Sequence, residues 1–235
     1  MHTILLAGGL GTRLYPVVKD IPKPMAPVNN KTFIEYLLDN FKKKGMDSFT
    51  ICVCHLSEKL MDHLGNGDRL GVKISYSVEE KPLGTAGAIG LLRNTINETF
   101  CVTNADNYLE FSITDLVESH KASGAIATIA VIEVQNTSRY GRVEIDEKGY
   151  IKSFKEKAQD MAEAGYINTG IYIFEPEIFD YMQENKVLSL EKDVFPKLLK
   201  DSRKVNGYIE GKNFYDIGEP DDYYAFIEWN NNRNS

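Results

Sequence analysis

Apolar positions recur along this chain in short continuous runs, and between the early runs they fall at helical spacing. Residues 3–6 form one such run, long enough for a buried strand and too short for a core helix. Phe33, Ile34, Leu37, Leu38 and Phe41 then repeat at helical intervals over 33–44. Thr32 can cap that helix, Lys42, Lys43 and Lys44 suit the dipole at its end, and Gly45 stops it. Residues 49–55 read as a second strand, 57–64 as a short helix and 72–78 as a third, alternating strand. This order predicts an α/β fold, Rossmann-like and doubly wound around a mostly parallel sheet. Further on, 100–103 and 126–134 predict buried strands, with a helix over 113–120 between them. From Gly141 the pattern changes: 142–145 and 150–154 alternate on either side of Asp146-Glu147-Lys148-Gly149, which predicts a β-hairpin. A strand over 166–174, helices near 176–184 and 192–200, strands over 204–209 and 214–217, and a helix over 219–229 with Pro220 in its first turn complete the pattern. With no repeat or long linker, 1–235 reads as one domain carrying the hairpin as a small lobe on its sheet.

A length of 235 residues can bury a sizeable core, and 43% hydrophobic with 26% charged residues is ordinary for a soluble globular chain. No apolar window is long enough to span a membrane. The N-terminus enters a strand without a signal pattern, so a cytoplasmic protein is expected. The net charge of −7 disfavours a nucleic-acid surface but leaves room for a local basic pocket. Cys52, Cys54 and Cys101 lie in apolar runs, and an odd count predicts buried reduced thiols, with Cys52 and Cys54 on one strand face. A homo-oligomer stays open.

The chemistry begins at the end of the first strand, in Leu6-Ala7-Gly8-Gly9-Leu10-Gly11-Thr12-Arg13-Leu14. Glycines there allow close approach of a ligand, and exposed N–H groups form a concavity suited to phosphate oxygens. Arg13 adds a fork matched to phosphate, and Lys23 follows between Pro22 and Pro24, which stiffen its backbone. Together they read as a grip for a polyphosphate. A dinucleotide site would need a third glycine where Leu14 stands and an acid near Lys31 and Thr32; a P-loop would need Gly-Lys-Ser/Thr. Gly84 and Gly87 bracket a helix start, where free N–H groups can meet an anion or a base. Asn104-Ala105-Asp106 closes a strand at the carboxyl end where parallel sheets bind ligands, and Asp216 closes a later one.

The string from Gly8 to Leu14 with Lys23-Pro24-Met25 closely resembles the signature of sugar-1-phosphate nucleotidylyltransferases, the nucleoside-diphosphate-sugar pyrophosphorylases. The resemblance covers nearly the whole chain. It implies attack of a sugar 1-phosphate on the α-phosphorus of a nucleoside triphosphate, with Mg2+ held by Asp106 and Asp216. It makes Arg13, Lys23, Asp106, Lys157 and Asp216 the catalytic group. It assigns the nucleotide to Leu6, Gly8, Gly9, Gly11, Thr12, Arg13, Lys23, Glu79, Gly84 and Thr85. It assigns the sugar phosphate to Asn104, Glu156, Lys157, Asn168 and Thr169. Residues 1–110 would then serve mainly the nucleotide and 111–235 mainly the sugar. Glu79-Glu80 before Gly84-Thr85-Ala86 looks like the guanylyltransferase branch, since one carboxylate can accept both donors of guanine. Asp20-Ile21-Pro22-Lys23-Pro24-Met25-Ala26-Pro27 and the compact length resemble the D-glycero-α-D-manno-heptose 1-phosphate guanylyltransferases, so GTP and that heptose are the expected substrates. Alternatives are mannose 1-phosphate, uridylyl or cytidylyl transfer, and a non-catalytic nucleotide-sugar sensor; such a sensor would be expected to have lost one of the five catalytic residues, and all are present.

Overall fold

The computed structural model describes residues 1–9, 11, 14, 17–155, 163–184, 186–209 and 212–234. In chain order the elements are β1 (Thr3–Leu6), β2 (Pro27–Val28), β3 (Lys31–Thr32), α1 (Phe33–Lys43), β4 (Ser48–Val53), α2 (Ser57–Leu64), β5 (Lys73–Val78), α3 (Gly84–Gly90), β6 (Phe100–Asn104), β7 (Asn107–Glu110), α4 (Ile113–Ser123), β8 (Ala127–Val134), β9 (Arg142–Ile145), β10 (Ile151–Lys155), β11 (Gly165–Phe174), α5 (Phe195–Lys200), β12 (Val205–Ile209), β13 (Lys212–Asp216) and α6 (Pro220–Asn234). They fold as two compact units. One takes Met1–Pro82, Thr103–Leu109 and Asn213–Ser235; the other takes Leu83–Val102 and Glu110–Lys212. The closing helix and Asp216 thus fold with the N-terminal strands.

In the first unit β1 pairs in parallel with β4, and β4 with β5. Ile4 and Leu5 of β1 are fully buried, and α1 buries Phe33, Ile34, Leu37, Leu38 and Phe41. The helical spacing in the sequence is thus the face that α1 turns inward. Phe226 of α6 packs edge-on to Phe33 at 5.0 Å between ring centres, and lies 5.1 Å from Tyr108 of β7 and 5.5 Å from Tyr215 of β13. One aromatic cluster therefore ties the first helix, the last helix and the β7–β13 pair.

Glu35 anchors the start of α1. Its Oε2 accepts the Thr32 backbone N–H at 2.7 Å and the Thr32 hydroxyl at 2.9 Å, and its Oε1 accepts from Arg69 at 2.7 Å. Burial alone would raise this carboxyl, but those bonds and the charge of His63 outweigh it and hold it down at about 2, against an ordinary 4.5. A depressed carboxyl stabilises the fold above its unfolded value and loses that contribution as pH falls. Acid unfolding followed by circular dichroism should steepen through the window from 4.5 to about 2, and Glu35→Gln should flatten that limb.

In the second unit the strand order is β12-β8-β11-β9-β10. The β12–β8 pair is parallel, while β11 runs antiparallel to both β8 and β9. The β9–β10 hairpin stands as predicted, closed by Asp146, whose Oδ1 accepts the Lys148 and Tyr150 N–H groups. His120 is buried, with Nδ1 at 2.7 Å from Thr128 Oγ1 and Nε2 at 2.9 Å from Glu175 Oε1, so α4 is fastened to β8 and to the end of β11.

The chain is a mixed α/β protein, as the sequence predicts, but several elements differ. The helix expected over 176–184 is a 3-10 turn over Pro176–Tyr181, and the one near 192–200 opens with a π turn over Leu190–Val194. The short β2–β3 pair and β7 have no signal in the periodicity, because each strand is stabilised by a partner rather than by its own pattern. Cys52 and Cys101 are buried free thiols, pushed up to about 12 by burial, whereas Cys54 lies past the end of β4 and is partly exposed. Among the described residues no helix is long and apolar enough to cross a membrane.

Candidate active site

β1 is short and buried, so it delivers Leu6 and the glycine loop to a fixed place at the carboxyl end of the parallel strands. The Leu6 carbonyl accepts the Ala105 N–H at 3.0 Å, which ties the loop to the segment carrying Asp106. Gly8 is packed against a carboxylate: a Cβ there would lie 2.8 Å from Glu79 Oε1. Glu79 is 6% exposed and its backbone N–H donates to Val53 O at 2.8 Å, while Glu80 is exposed. Of the two adjacent acids, Glu79 is the one packed against the loop. Gly9, Gly11, Lys23, His55 and Lys59 are among the residues that line a cleft of about 300 Å3.

Lys23 opens a 3-10 turn over Lys23–Met25, held by Pro22 and Pro24 on either side. Its Nζ donates to Asp106 Oδ2 at 2.6 Å and lies 3.6 Å from Asp216 Oδ1. Asp106 immediately precedes β7 and Asp216 ends β13, and pairing of these two strands brings the carboxylates together. The Ile217 N–H donates to Asp106 O at 3.0 Å, and the Gly218 N–H to Asp216 Oδ1 at 2.8 Å. The three side chains predicted to handle charge therefore form one cluster. Ala105 is fully buried.

Asn104 ends β6 in the first unit, and the second unit holds Gly84, Thr85, Asn168 and Thr169. Gly84 opens α3, and the Thr85 hydroxyl accepts the Leu190 N–H at 2.8 Å, so Thr85 fastens this turn to the segment before α5. Asn168 sits where the β11–β8 register slips. Its Oδ1 accepts the Gly170 N–H at 2.9 Å, and its Nδ2 donates to Tyr172 Oη at 2.8 Å and reaches Glu191 Oε1 at 3.4 Å. Tyr172 and Glu191 are neighbours of Asn168 that the sequence does not point to, since nothing local links 168, 172 and 191. Thr169 is fully buried and its hydroxyl donates to Ala130 O at 2.7 Å, so its side chain braces the strand. Thr12, Arg13, Glu156 and Lys157 lie outside the described residues.

The sequence model described as Nucleotidyl transferase matches residues 2–232. A protein of Campylobacter jejuni named D-glycero-alpha-D-manno-heptose 1-phosphate guanylyltransferase is 36% identical over 230 residues, covering 97% of this chain and 99% of that protein. A UTP–glucose-1-phosphate uridylyltransferase of Synechocystis is also 36% identical over 97% of this chain, which spans only 62% of that protein's length. Among solved structures, HddC from Yersinia pseudotuberculosis complexed with GMP-PN superposes with a TM-score of 0.85 at 32% identity, covering 97% of this chain and 98% of that one.

Proposed function

The chain belongs to the nucleotidyl transferase family, and on that footing we propose that it transfers GMP from GTP to D-glycero-α-D-manno-heptose 1-phosphate, giving GDP-heptose and pyrophosphate. The observation that carries the reading is the cluster of Lys23 with Asp106 and Asp216 beside the glycine loop. End-to-end similarity to the C. jejuni heptose enzyme, and to a structure complexed with GMP-PN, supports the guanylyl and heptose assignments. On this reading residues 1–235 work as one catalytic domain in the cytoplasm.

The reaction needs the attacking phosphate oxygen in line with the α-phosphorus and the charge on the phosphoryl oxygens offset. The loop from Gly8 to Gly11 offers backbone N–H groups, while Lys23 and Arg13 supply positive charge. Asn168, Glu156 and Lys157 hold the sugar phosphate. Asp106 and Asp216 fit a magnesium ion: both are oxygen donors, and each keeps one carboxylate oxygen without a partner among the described residues. Bound there with water and phosphate oxygens, Mg2+ would offset charge on the triphosphate.

Guanine presents a ring N–H and an amine side by side, and Glu79 is the buried acceptor against the loop. Replacing a charged acceptor should cost about 10- to 100-fold. Glu79→Gln should therefore lower kcat/KM for GTP by that factor relative to the other triphosphates, read by competition between nucleotides. An unchanged preference would place base selection elsewhere.

Pyrophosphate release with magnesium, across four nucleoside triphosphates and a panel of sugar 1-phosphates, tests the whole assignment. Release with GTP and the heptose alone supports it. Release with UTP and glucose 1-phosphate would favour the second reading, for which the equal identity to the Synechocystis protein speaks.

A further inference from the structure

Lys23 occupies the carboxylates that the proposed reaction reserves for its metal. Its ammonium lies 2.6 Å from Asp106 Oδ2 and 3.6 Å from Asp216 Oδ1, and its side chain is only 8% exposed. The base of that side chain is set by the flanking prolines and by the Ala26 N–H, which donates to Lys23 O at 2.9 Å. Its tip is admitted by Gly218, where a Cβ would come 2.5 Å from Lys23 Nζ and 2.6 Å from Asp216 Oδ1. Gly218 thus packs directly against the ammonium and Asp216, and a side chain there would crowd both.

We propose that Lys23 is a resident counter-ion that competes with the divalent cation. Without nucleotide it holds Asp106 and Asp216 together and keeps the metal off. When a nucleoside triphosphate binds, its oxygens draw the ammonium away and release the carboxylates to the metal. The inference rests on the metal reading of these two acids given above.

The electrostatics run in one direction. The β7–β13 pairing forces two like charges together, and a cation between them relieves the repulsion. A divalent ion on the same two carboxylates would sit close to a mostly buried ammonium, where water screens little. A lysine tip on a flexible four-carbon stem can move while its backbone stays fixed, and a triphosphate offers it a more highly charged partner. The metal and the nucleotide then bind with positive coupling, because the nucleotide removes the competitor.

Mn2+ binding followed by electron paramagnetic resonance tests this without turnover. The wild-type chain alone should bind Mn2+ weakly, and a non-hydrolysable GTP analogue should tighten it. Lys23→Met, close in shape and neutral, should bind Mn2+ at least tenfold more tightly than wild type in the absence of nucleotide. Gly218→Ala, which crowds the ammonium without removing it, should shift affinity the same way. Asp106→Asn should abolish the signal in each background, with circular dichroism showing each variant folded. If wild type with the analogue binds Mn2+ through Asp106 yet neither Lys23→Met nor Gly218→Ala binds it more tightly than wild type alone, the counter-ion role is wrong and the metal reading stands. If no background shows Asp106-dependent Mn2+ binding, both fall.

Discussion

Asp106→Asn is expected to lower the rate of pyrophosphate release by roughly 10²- to 10³-fold, the loss typical when one preorganised charge-stabilising group is removed. The fold should survive the change. Asparagine is nearly the same size, and its carbonyl oxygen can still accept from Lys23 Nζ, which keeps Asp216 Oδ1 at 3.6 Å as its anionic partner. The backbone bond from the Ile217 N–H to Asp106 O does not involve the side chain. Melting curves should therefore overlay those of wild type while turnover collapses. What the substitution removes is negative charge on one of two oxygen donors, and hard cations depend on that charge. Turnover within a few-fold of wild type would take Asp106 out of the metal site.

Phe226→Ala should produce the largest loss of stability, about 3–5 kcal/mol as for other buried aromatic truncations. For a chain of this size that lowers Tm by roughly 6–20 °C. Phe226 is fully buried, with ring centres of Phe33, Tyr108, Tyr215 and Trp229 all between 5.0 and 5.7 Å away. The neighbours are rings on separate elements and cannot close the void by turning a single rotamer. The damage should also reach the site. Tyr108 and Tyr215 belong to β7, which Asp106 immediately precedes, and to β13, which Asp216 ends. At a temperature where the variant is still folded, kcat should fall more than KM rises. Calorimetry and initial rates on the same preparation check both halves; a loss below about 1 kcal/mol would show that the cluster does not support this pair of strands.

Legibility in the sequence followed the range of the interaction. β1 lies where the apolar run from Thr3 to Leu6 places it, and α1 buries the residues whose spacing predicts it. The hairpin at 146–149 is legible because Asp146 and Gly149 make its turn with their own backbone neighbours. β7 is not legible. Its four residues follow a loop, and the strand that pairs with it comes much later in the chain. The same holds for the π turn before α5, whose start is fixed by Ser189 accepting the Glu191 and Lys192 N–H groups.

By itself, the sequence determined the local chemistry of this protein: a strand ending in a glycine loop, a lysine between prolines, aspartates at strand ends, and a hairpin. Each follows from residues adjacent in the chain, whose conformational limits act before any fold exists. Only the tertiary structure decided that Lys23, Asp106 and Asp216 meet, that Glu79 packs against the loop at Gly8, and that the Thr169 side chain is buried. Those outcomes depend on which strands pair and on which side chains lose access to water. Both are properties of contacts between distant segments, which no local pattern encodes.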